Sequence, residues 1–318
     1  MPTPTLRPTD PTRDFADLAA WFTILDEWPN SCETLTDYYN RERERIIEAV
    51  AVGAHDAPLG FYWVKRDPTV PEHAFFYLYV SPEHRGHGIG HALYDAMLQA
   101  IAATAIRRLQ TRVGDTCPEC RAFADRRGFT EIRHGFAMAL DLDAFDDAPY
   151  NATLARLERE GFRFTSMAEL GNTPEAQQAL YRLNDATARD IPGTGGEPSW
   201  ASFEDFQSSV CQADWYIPEG QKLAIDTANG AFAALSAITR PPGADYAYNL
   251  HTGVARAYRG RKLGQAVKVI ALRYARAALG VHTVRTHHNV HNLPMIAIDR
   301  KLGYVRLPGT YLMEKALP

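Results

Sequence analysis

The feature that most constrains the fold of this chain is a strand, a glycine-rich turn and a helix that occur twice in matching positions. The first turn, 81–90, joins an alternating strand at 73–80 to an amphipathic helix, and we expect Ala74 and Phe76 on one face of that strand and Tyr77 and Tyr79 on the other. Upstream of this strand, a helix is expected to start near Ser31 as its cap. The second turn, 255–264, joins a strand at 246–254 to another amphipathic helix. In both copies a strand, a short helix and a glycine–aromatic pair follow. Arg85 and Phe129 are 44 residues apart, and Arg259 and Tyr304 are 45 apart, so we expect one fold present twice.

The length of 318 residues agrees with two domains. A polar stretch at Asp141–Pro149 has the composition of a linker, and we place the domains at residues 1–145 and 146–318. The second copy carries an insertion, Pro192–Pro198, that is rich in glycine and proline. Insertions of this kind often line binding sites.

Composition excludes several classes of protein. Lys and Arg total 34 and Asp and Glu total 38, so a net charge of −4 gives no general attraction to nucleic acid or to anionic membranes. No apolar run approaches the roughly 18 to 20 residues that a membrane helix needs. The N-terminus lacks the pattern of a secretory signal, and four cysteines are too few for a disulfide scaffold. We therefore expect a cytoplasmic protein that binds neither membrane nor nucleic acid.

The glycine-rich turns are typical of anion sites. A helix that begins at such a turn presents unpaired backbone N–H groups and the positive end of its dipole to a ligand. Gly86, Gly88 and Gly90 lack the Cβ atoms that would keep a ligand away from the backbone. Their spacing is neither the dinucleotide G-x-G-x-x-G nor a Walker motif. The alternative is a glycine turn that binds no ligand. The occurrence of the turn twice, at matching positions, argues against this alternative.

The segment Arg85-Gly86-His87-Gly88-Ile89-Gly90 resembles the Q/R-x-x-G-x-G/A signature of the GNAT superfamily of N-acetyltransferases. The second copy, 259–264, fits except that Lys262 stands where the middle glycine belongs. The resemblance extends over nearly the whole chain in tandem, as in the double-domain mycothiol synthases. It implies an α+β fold with two tandem GNAT-like domains, each a central mixed, mostly antiparallel sheet flanked by helices.

The resemblance implies acetyl-CoA as co-substrate, with loop amides around its pyrophosphate and the preceding strand beside its pantetheine arm. The implied cofactor-binding residues are Val80, Arg85, Gly86, His87, Gly88, Ile89 and Gly90 in the first copy and Val254, Arg259, Gly260, Arg261, Lys262, Leu263, Gly264 and Asn292 in the second. The second loop is the more basic, since it adds Arg256 and Lys268, and this charge suits the phosphates of CoA. The alternative for these cations is a solvated helix face.

Family members commonly use as general acid a tyrosine that lies five residues before the aromatic residue of the glycine–aromatic pair. Here Ala124 and Asp299 occupy that place. The second copy keeps an N-x-x-M element at Asn292, although His288 stands where tandem relatives often have asparagine. We therefore expect the C-terminal copy to be catalytic and the N-terminal copy to be degenerate, even though the latter has the more complete glycine loop.

A general base is sought near the end of the central strand of the second copy. His251 lies there and is our first choice, acting directly or through water. Tyr248 and Asp299 are alternatives, and a structural role for a single histidine is the competing interpretation.

Two other patterns are not assigned a function. Cys117 and Cys120 form a C-x-x-C without the second pair that a zinc knuckle needs, and we interpret them as cysteines at a helix start. His287 and His288 belong to a histidine cluster, but adjacent residues of a strand point to opposite faces. We expect no metal.

These observations predict an acetyl-CoA-dependent N-acetyltransferase in which a primary amine attacks the thioester directly. The acceptor would be a small-molecule or peptide amine, and the protein a monomer or homodimer. A non-catalytic CoA-binding module is the alternative, because neither copy has the usual tyrosine. A nucleic-acid binder is disfavoured by the overall charge.

Overall fold

The computed structural model describes residues 4–26, 30–193 and 195–318. Its strands are β1 Thr5–Arg7, β2 Ile46–Val52, β3 Pro58–Arg66, β4 His73–Val80, β5 Arg108–Gly114, β6 Thr130–Asp141, β7 Phe162–Ser166, β8 Gln221–Asp226, β9 Phe232–Thr239, β10 Tyr246–Val254, β11 Thr283–Asn289 and β12 Val305–Ala316. Its α-helices are α1 Pro11–Asp26, α2 Cys32–Glu42, α3 Ile89–Ile101, α4 Pro118–Asp125, α5 Asn151–Arg159, α6 Pro174–Ala188, α7 Phe203–Phe206, α8 Leu263–Tyr274 and α9 Leu293–Leu302.

The chain divides into two compact units. The first comprises residues up to Arg133 together with Thr310–Pro318, and the second comprises His134–Gly309. In the first unit the strands run β1-β2-β3-β4-β5 and end with residues 310–316 of β12. In the second they run β7-β8-β9-β10-β11 and end with residues 135–141 of β6. The last strand of each sheet therefore comes from the other half of the sequence.

Each sheet is mixed and mostly antiparallel, as the resemblance implied. Among the described strands, β4 pairs with β5 in parallel and β10 pairs with β11 in parallel. In both pairs only the first residues of β4 or β10 are paired, at the end of the strand away from the glycine-rich turn.

The first sheet is covered by helices on both faces, which the alternation along β4 reflects. Ala74 and Phe76 pack in the core that contains α3, whereas Tyr77 and Tyr79 pack in the core that contains α1 and α2. Successive side chains of a strand point to opposite faces, so one strand contributes to both cores. The predicted division of β4 into two faces is confirmed.

The start of α2 also follows the sequence prediction. Ser31 is the N-cap, and its hydroxyl accepts a hydrogen bond from the backbone N–H of Thr34 at 3.1 Å. The Thr34 side chain in turn accepts from the backbone N–H of Ser31. This reciprocal capping satisfies two N–H groups that the helix itself leaves unpaired.

The segment expected to be a linker is instead packed into the second unit. Leu142 and Phe145 are buried in its core, and Asp147 binds Arg273 and Arg276, which lower the pKa of its carboxyl. Helix α5 follows directly and was not expected, and neither was β12. The domain boundary at 145/146 concerns the two sequence copies and stays a prediction, since the compact units exchange their last strands.

In the described parts of the chain, no helix is both long enough and apolar enough to cross a membrane.

Candidate acyl-transfer site

The two glycine-rich turns have the same backbone conformation. Arg85 and Arg259 have φ values of −69° and −67° and ψ values of 160° and 162°. In each unit this arginine folds back onto the strand that precedes it: its Nε donates to the carbonyl of Val80 at 3.0 Å or of Val254 at 3.1 Å. The repeat read from the sequence is therefore also a repeat of geometry.

Lys262 adopts the left-handed conformation that the middle glycine adopts in the first unit. Its φ is +70°, and that of Gly88 is +84°. A residue with a Cβ is strained in this region, so the loop imposes its shape on Lys262. The side chain of Lys262 is exposed and forms no ion pair with the described residues.

Both turns leave a row of backbone donors unused. Among the described residues, no hydrogen bond is formed by the N–H groups of 86–90 or by those of 260–264. Each row ends in the first turn of a helix, α3 or α8, where the dipole also favours negative charge. Each unit can thus hold a phosphate or pyrophosphate group, at the residues that the resemblance implied.

The strands in front of the turns diverge. The parallel pairing of β10 with β11 covers Tyr246–Tyr248 and Thr283–Arg285 and then stops, although both strands continue. An irregularity between Asn249 and His251 bends β10 at this point. The opening leaves unpaired backbone beside Val254, where an extended ligand can lie.

Most cations around the second loop already have partners. Arg256 and Arg259 bind Asp190, whose pKa they lower to about 2, and Arg261 binds Glu160 at 3.0 Å. Lys268 is not on a solvated helix face, because its side chain is only 1% exposed. The expectation that Lys268 adds to the basic loop is therefore wrong. The charges of Arg256, Arg259 and Arg261 are partly neutralised by their carboxylate partners.

Asp190 begins a segment that crosses the mouth of the opening. It contacts Arg256 and Arg259 after β10, while Gly193 approaches the end of β11. A Cβ on Gly193 would lie 2.8 Å from Nδ2 of Asn289, and φ there is +90°. The glycine-rich insertion of the second copy thus begins beside the site, as expected of a loop that lines it; Thr194 lies outside the described residues.

His251 lies on the bent part of β10. Its Nε2 is 2.8 Å from the hydroxyl oxygen of Thr187, which also donates to the carbonyl of Leu183. Burial lowers the pKa of His251 to about 4, so the ring is neutral at physiological pH even though the residue keeps some contact with solvent. Gly253 makes this pairing possible, since a Cβ there would lie 2.3 Å from the Thr187 hydroxyl.

Tyr248 lies where β10 and β11 separate. Its hydroxyl is 2.7 Å from Nδ1 of His287, which is exposed on β11. The neighbouring His288 is buried on the opposite face, as expected of adjacent residues in a strand.

Asp299 is fully buried and does not face solvent. One carboxylate oxygen binds the ammonium of Lys268, and the other lies 2.7 Å from Nε2 of His288. Burial lowers the pKa of Lys268, an effect that Asp299 opposes. The Lys268 ammonium also lies 4.9 Å from the centre of the Tyr304 ring. We call Lys268, Asp299 and His288 the buried network.

The first unit has apolar or aromatic side chains at the corresponding places. Counting from the shared turns, Lys268, His288, Asp299 and Tyr304 correspond to Tyr94, Val113, Ala124 and Phe129, all buried in one core. A comparison of the two copies could have revealed the network from the sequence, because Tyr94, the counterpart of Lys268, lies in the core of the first unit.

Asn292 is the N-cap residue of α9, and its side chain makes no capping hydrogen bond there. It is therefore free of that common structural role and close to the site. Its counterpart in the first unit is Cys117, which forms a disulfide with Cys120. The two cysteines lie at the start of α4, as expected, and the bond between them is an addition that the sequence did not predict. In the described part of the chain, Cys117, Glu119 and Cys120 have ligand atoms close enough together to hold a metal ion, but the two sulfurs are bonded to each other.

Known proteins share both the domain and the fold. The sequence model of the Acetyltransferase (GNAT) family matches residues 14–129. The chain is 28% identical to a mycothiol acetyltransferase of Stackebrandtia nassauensis over 230 residues, 71% of this chain and 69% of that protein. A GCN5-related N-acetyltransferase from Sphaerobacter thermophilus superimposes with a TM-score of 0.66 at 20% identity and covers 98% of this chain and 95% of its own.

A tandem GNAT protein from the clavulanic acid biosynthesis pathway superimposes with a TM-score of 0.62 at 21% identity, covering 98% of both chains. At these identities the likeness to solved structures concerns the fold. The family match, in contrast, falls on the copy with three glycines in its loop. Residues 14–129 therefore match the Acetyltransferase (GNAT) family, and the chain has the fold of tandem GNAT proteins over nearly its whole length.

Proposed function

We propose that this protein transfers the acetyl group of acetyl-CoA to a primary amine, and that the second unit performs the chemistry. The observation that carries the proposal is the row of unused N–H groups at 260–264 directly behind the opening between β10 and β11. Such a row suits the pyrophosphate of CoA, and the opening suits its extended arm. Loop residues 259–264, Val254 and Asn292 would hold the co-substrate.

The choice of the second unit is supported by its polar groups. The buried network, His251 and Tyr248 are all in this unit, whereas the first unit has an apolar core at the network positions. In this proposal the first unit either stabilises the chain or binds acetyl-CoA without turnover. The loop of 85–90 would supply that binding.

The three residues proposed as catalytic have different capacities. A neutral imidazole with a pKa of about 4 is a weak base toward an ammonium group, so His251 is suited to orienting the acceptor through a hydrogen bond. Tyr248 lies at the start of the opening and can contact the acceptor from the β11 side. Asp299 has both oxygens bound and can act only through a neighbour.

The reaction needs little beyond placement of the reactants. The amine nitrogen attacks the thioester carbon, the new C–N bond forms and the C–S bond breaks, and the thiolate takes up a proton. A small-molecule amine is supported as acceptor by the relatives named mycothiol acetyltransferase, and a peptide amine stays the alternative. Monomer or homodimer also stays a prediction.

The test is titration calorimetry with acetyl-CoA followed by a thiol-release assay. The assay uses a polyamine, an amino sugar, an amino-acid amide and a peptide with a free amino terminus. We expect binding, and turnover with at least one amine that Asn292→Ala reduces more than Arg85→Ala does. Binding without release of thiol for any amine would leave a CoA-binding module and refute the proposal.

A further inference from the structure

We propose that His288 is the general base of the second unit, held in place by Asp299, which Lys268 anchors. This inference rests on the proposed function and names the residue that removes the proton from the acceptor. It also narrows the acceptor to an amine that is protonated in solution at neutral pH, since a base is needed for such an amine.

The position of His288 supports this role. It lies on β11 three residues beyond the last paired residue, Arg285, where β10 and β11 have already separated. Between the two, the hydroxyl of Thr286 donates to the carbonyl of Asn249 across the gap at 3.1 Å. His288 is therefore the next residue after Thr286 on the same face of β11, at a level where β10 and β11 are no longer paired.

The hydrogen bonds fix the state of the ring. Nε2 lies 2.7 Å from a carboxylate oxygen of Asp299, so Nε2 carries the proton and donates it. Among the described residues Nδ1 has no partner, and it holds the lone pair. A histidine whose other nitrogen is bound to a buried carboxylate is oriented and made more basic, which is the arrangement that general-base catalysis uses.

Lys268 explains why Asp299 stays charged. A buried carboxylate without a partner would take up a proton and lose its grip on the ring. The ammonium of Lys268 binds the other carboxylate oxygen, and its own charge rests above the Tyr304 ring. The groups facing His288 are thus Asp299 from α9, Lys268 behind it, Tyr304, and Phe136 from β6, which Arg306 covers on its other side.

The first unit shows that the fold does not need this network. Tyr94, Val113, Ala124 and Phe129 fill the same places with apolar and aromatic groups. Burying three titratable side chains costs more free energy than packing apolar ones, so the network is not explained by stability. A role in chemistry accounts for its presence in one copy.

The proposed step is balanced. Nδ1 of His288 takes one proton from the acceptor ammonium, directly or through one water, and the free amine attacks the thioester carbon. The C–N bond forms and the C–S bond breaks. The remaining excess proton on nitrogen goes to the departing thiolate, and His288 releases its proton to solvent.

The experiment measures kcat/KM against pH for the intact wild-type chain, His288→Ala and the surface control His282→Ala, with the best amine of the panel. His282 pairs with Asp143 at the surface and should behave as wild type. We expect His288→Ala to lower kcat/KM by about 100-fold or more, with acetyl-CoA affinity unchanged within about twofold. Added imidazole should restore activity at least about tenfold, because it replaces a missing base but not a missing support.

A second variant covers the case in which His288→Ala does not fold. The double variant Lys268→Met with Asp299→Asn removes both charges and keeps the shapes. Its kcat should fall at least about tenfold while its KM for acetyl-CoA stays within about twofold, because the ring loses the carboxylate that orients it. If wild type is active and His288→Ala stays within about threefold of it, or loses activity without rescue while the double variant keeps the wild-type kcat, this inference alone is refuted. A wild type that acetylates no amine refutes the proposed function itself.

Discussion

Lys262 in the second unit and Gly88 in the first occupy the same left-handed backbone position, with φ of +70° and +84°. The turn geometry is therefore kept at the expense of strain where the glycine has been replaced. Because Lys262 is strained and exposed at the start of a helix, we expect its charge rather than its conformation to matter for binding.

Lys262→Gly tests this relationship. Glycine relieves the left-handed strain, so we expect the variant to be more stable by up to about 1 kcal/mol. Loss of the cation should weaken acetyl-CoA binding several-fold and make it less sensitive to salt. Chemical unfolding and calorimetry at two salt concentrations measure both. The reverse change, Gly88→Lys, should lower stability, and a Lys262→Gly variant with unchanged affinity would show that the charge does not reach the ligand.

Asp190 binds Arg256 and Arg259 of the second loop, so we expect it to compete for them with the phosphates of acetyl-CoA. Asp190→Asn should release Arg256 and Arg259, raise acetyl-CoA affinity several-fold and steepen its salt dependence. Glu160→Gln releases only one arginine of the loop, Arg261, together with Arg156 of α5, and is the matched control, with a smaller effect expected. Equal affinities in wild type and Asp190→Asn would contradict this account of the loop.

The same residue predicts a pH dependence. The folded pKa of Asp190 is about 2, below its ordinary value of 3.8, so its stabilising effect is full above the ordinary value. The difference in unfolding free energy between wild type and Asp190→Asn should be constant above about pH 5 and shrink as pH falls from about 4 to about 2. Urea titrations at several pH values measure it, and a difference that grows on acidification would have the wrong sign.

Lys268 and Asp299 should behave as a coupled pair. Either single change, Lys268→Met or Asp299→Leu, leaves one buried charge unpaired and should cost about 3–5 kcal/mol of stability. The double change resembles the apolar core of the first unit and should recover most of that loss. Unfolding of the four proteins gives the coupling free energy. Additive effects of the two changes would mean that the ion pair contributes nothing.

The strand exchange predicts that the end of the chain stabilises its beginning. Met313 of β12 is buried in the core of the first unit, and Glu314 accepts hydrogen bonds from Arg108 and Gln110. Met313→Ala should cost about 2–5 kcal/mol and lower hydrogen-exchange protection in β5. Leu312→Ala, at a partly exposed neighbour, is the control. Lost protection in β11 with β5 intact would contradict the exchange.

The sequence predicted the features that depend on local pattern. The two turns, the faces of β4 and the Ser31 cap follow from glycine spacing, alternation and capping chemistry. Strand partners were beyond reach, because alternation in β6 and β12 specifies a face but not the neighbouring strand. Because of its charge, Lys268 was expected either to serve the CoA phosphates or to lie on a solvated helix face, although its position four residues after Gly264 places it on the buried stripe of α8.

The central claim is that the second unit binds the co-substrate and performs the transfer, and a matched pair of loop variants tests it most directly. At Gly86 and Gly260 an added Cβ meets no atom within 4 Å, and aspartate tolerates their left-handed conformation better than most residues. Each change puts a carboxylate into one anion site. Thiol release with acetyl-CoA and the best amine should persist in Gly86→Asp and be lost in Gly260→Asp, whereas loss in Gly86→Asp with persistence in Gly260→Asp would contradict the account.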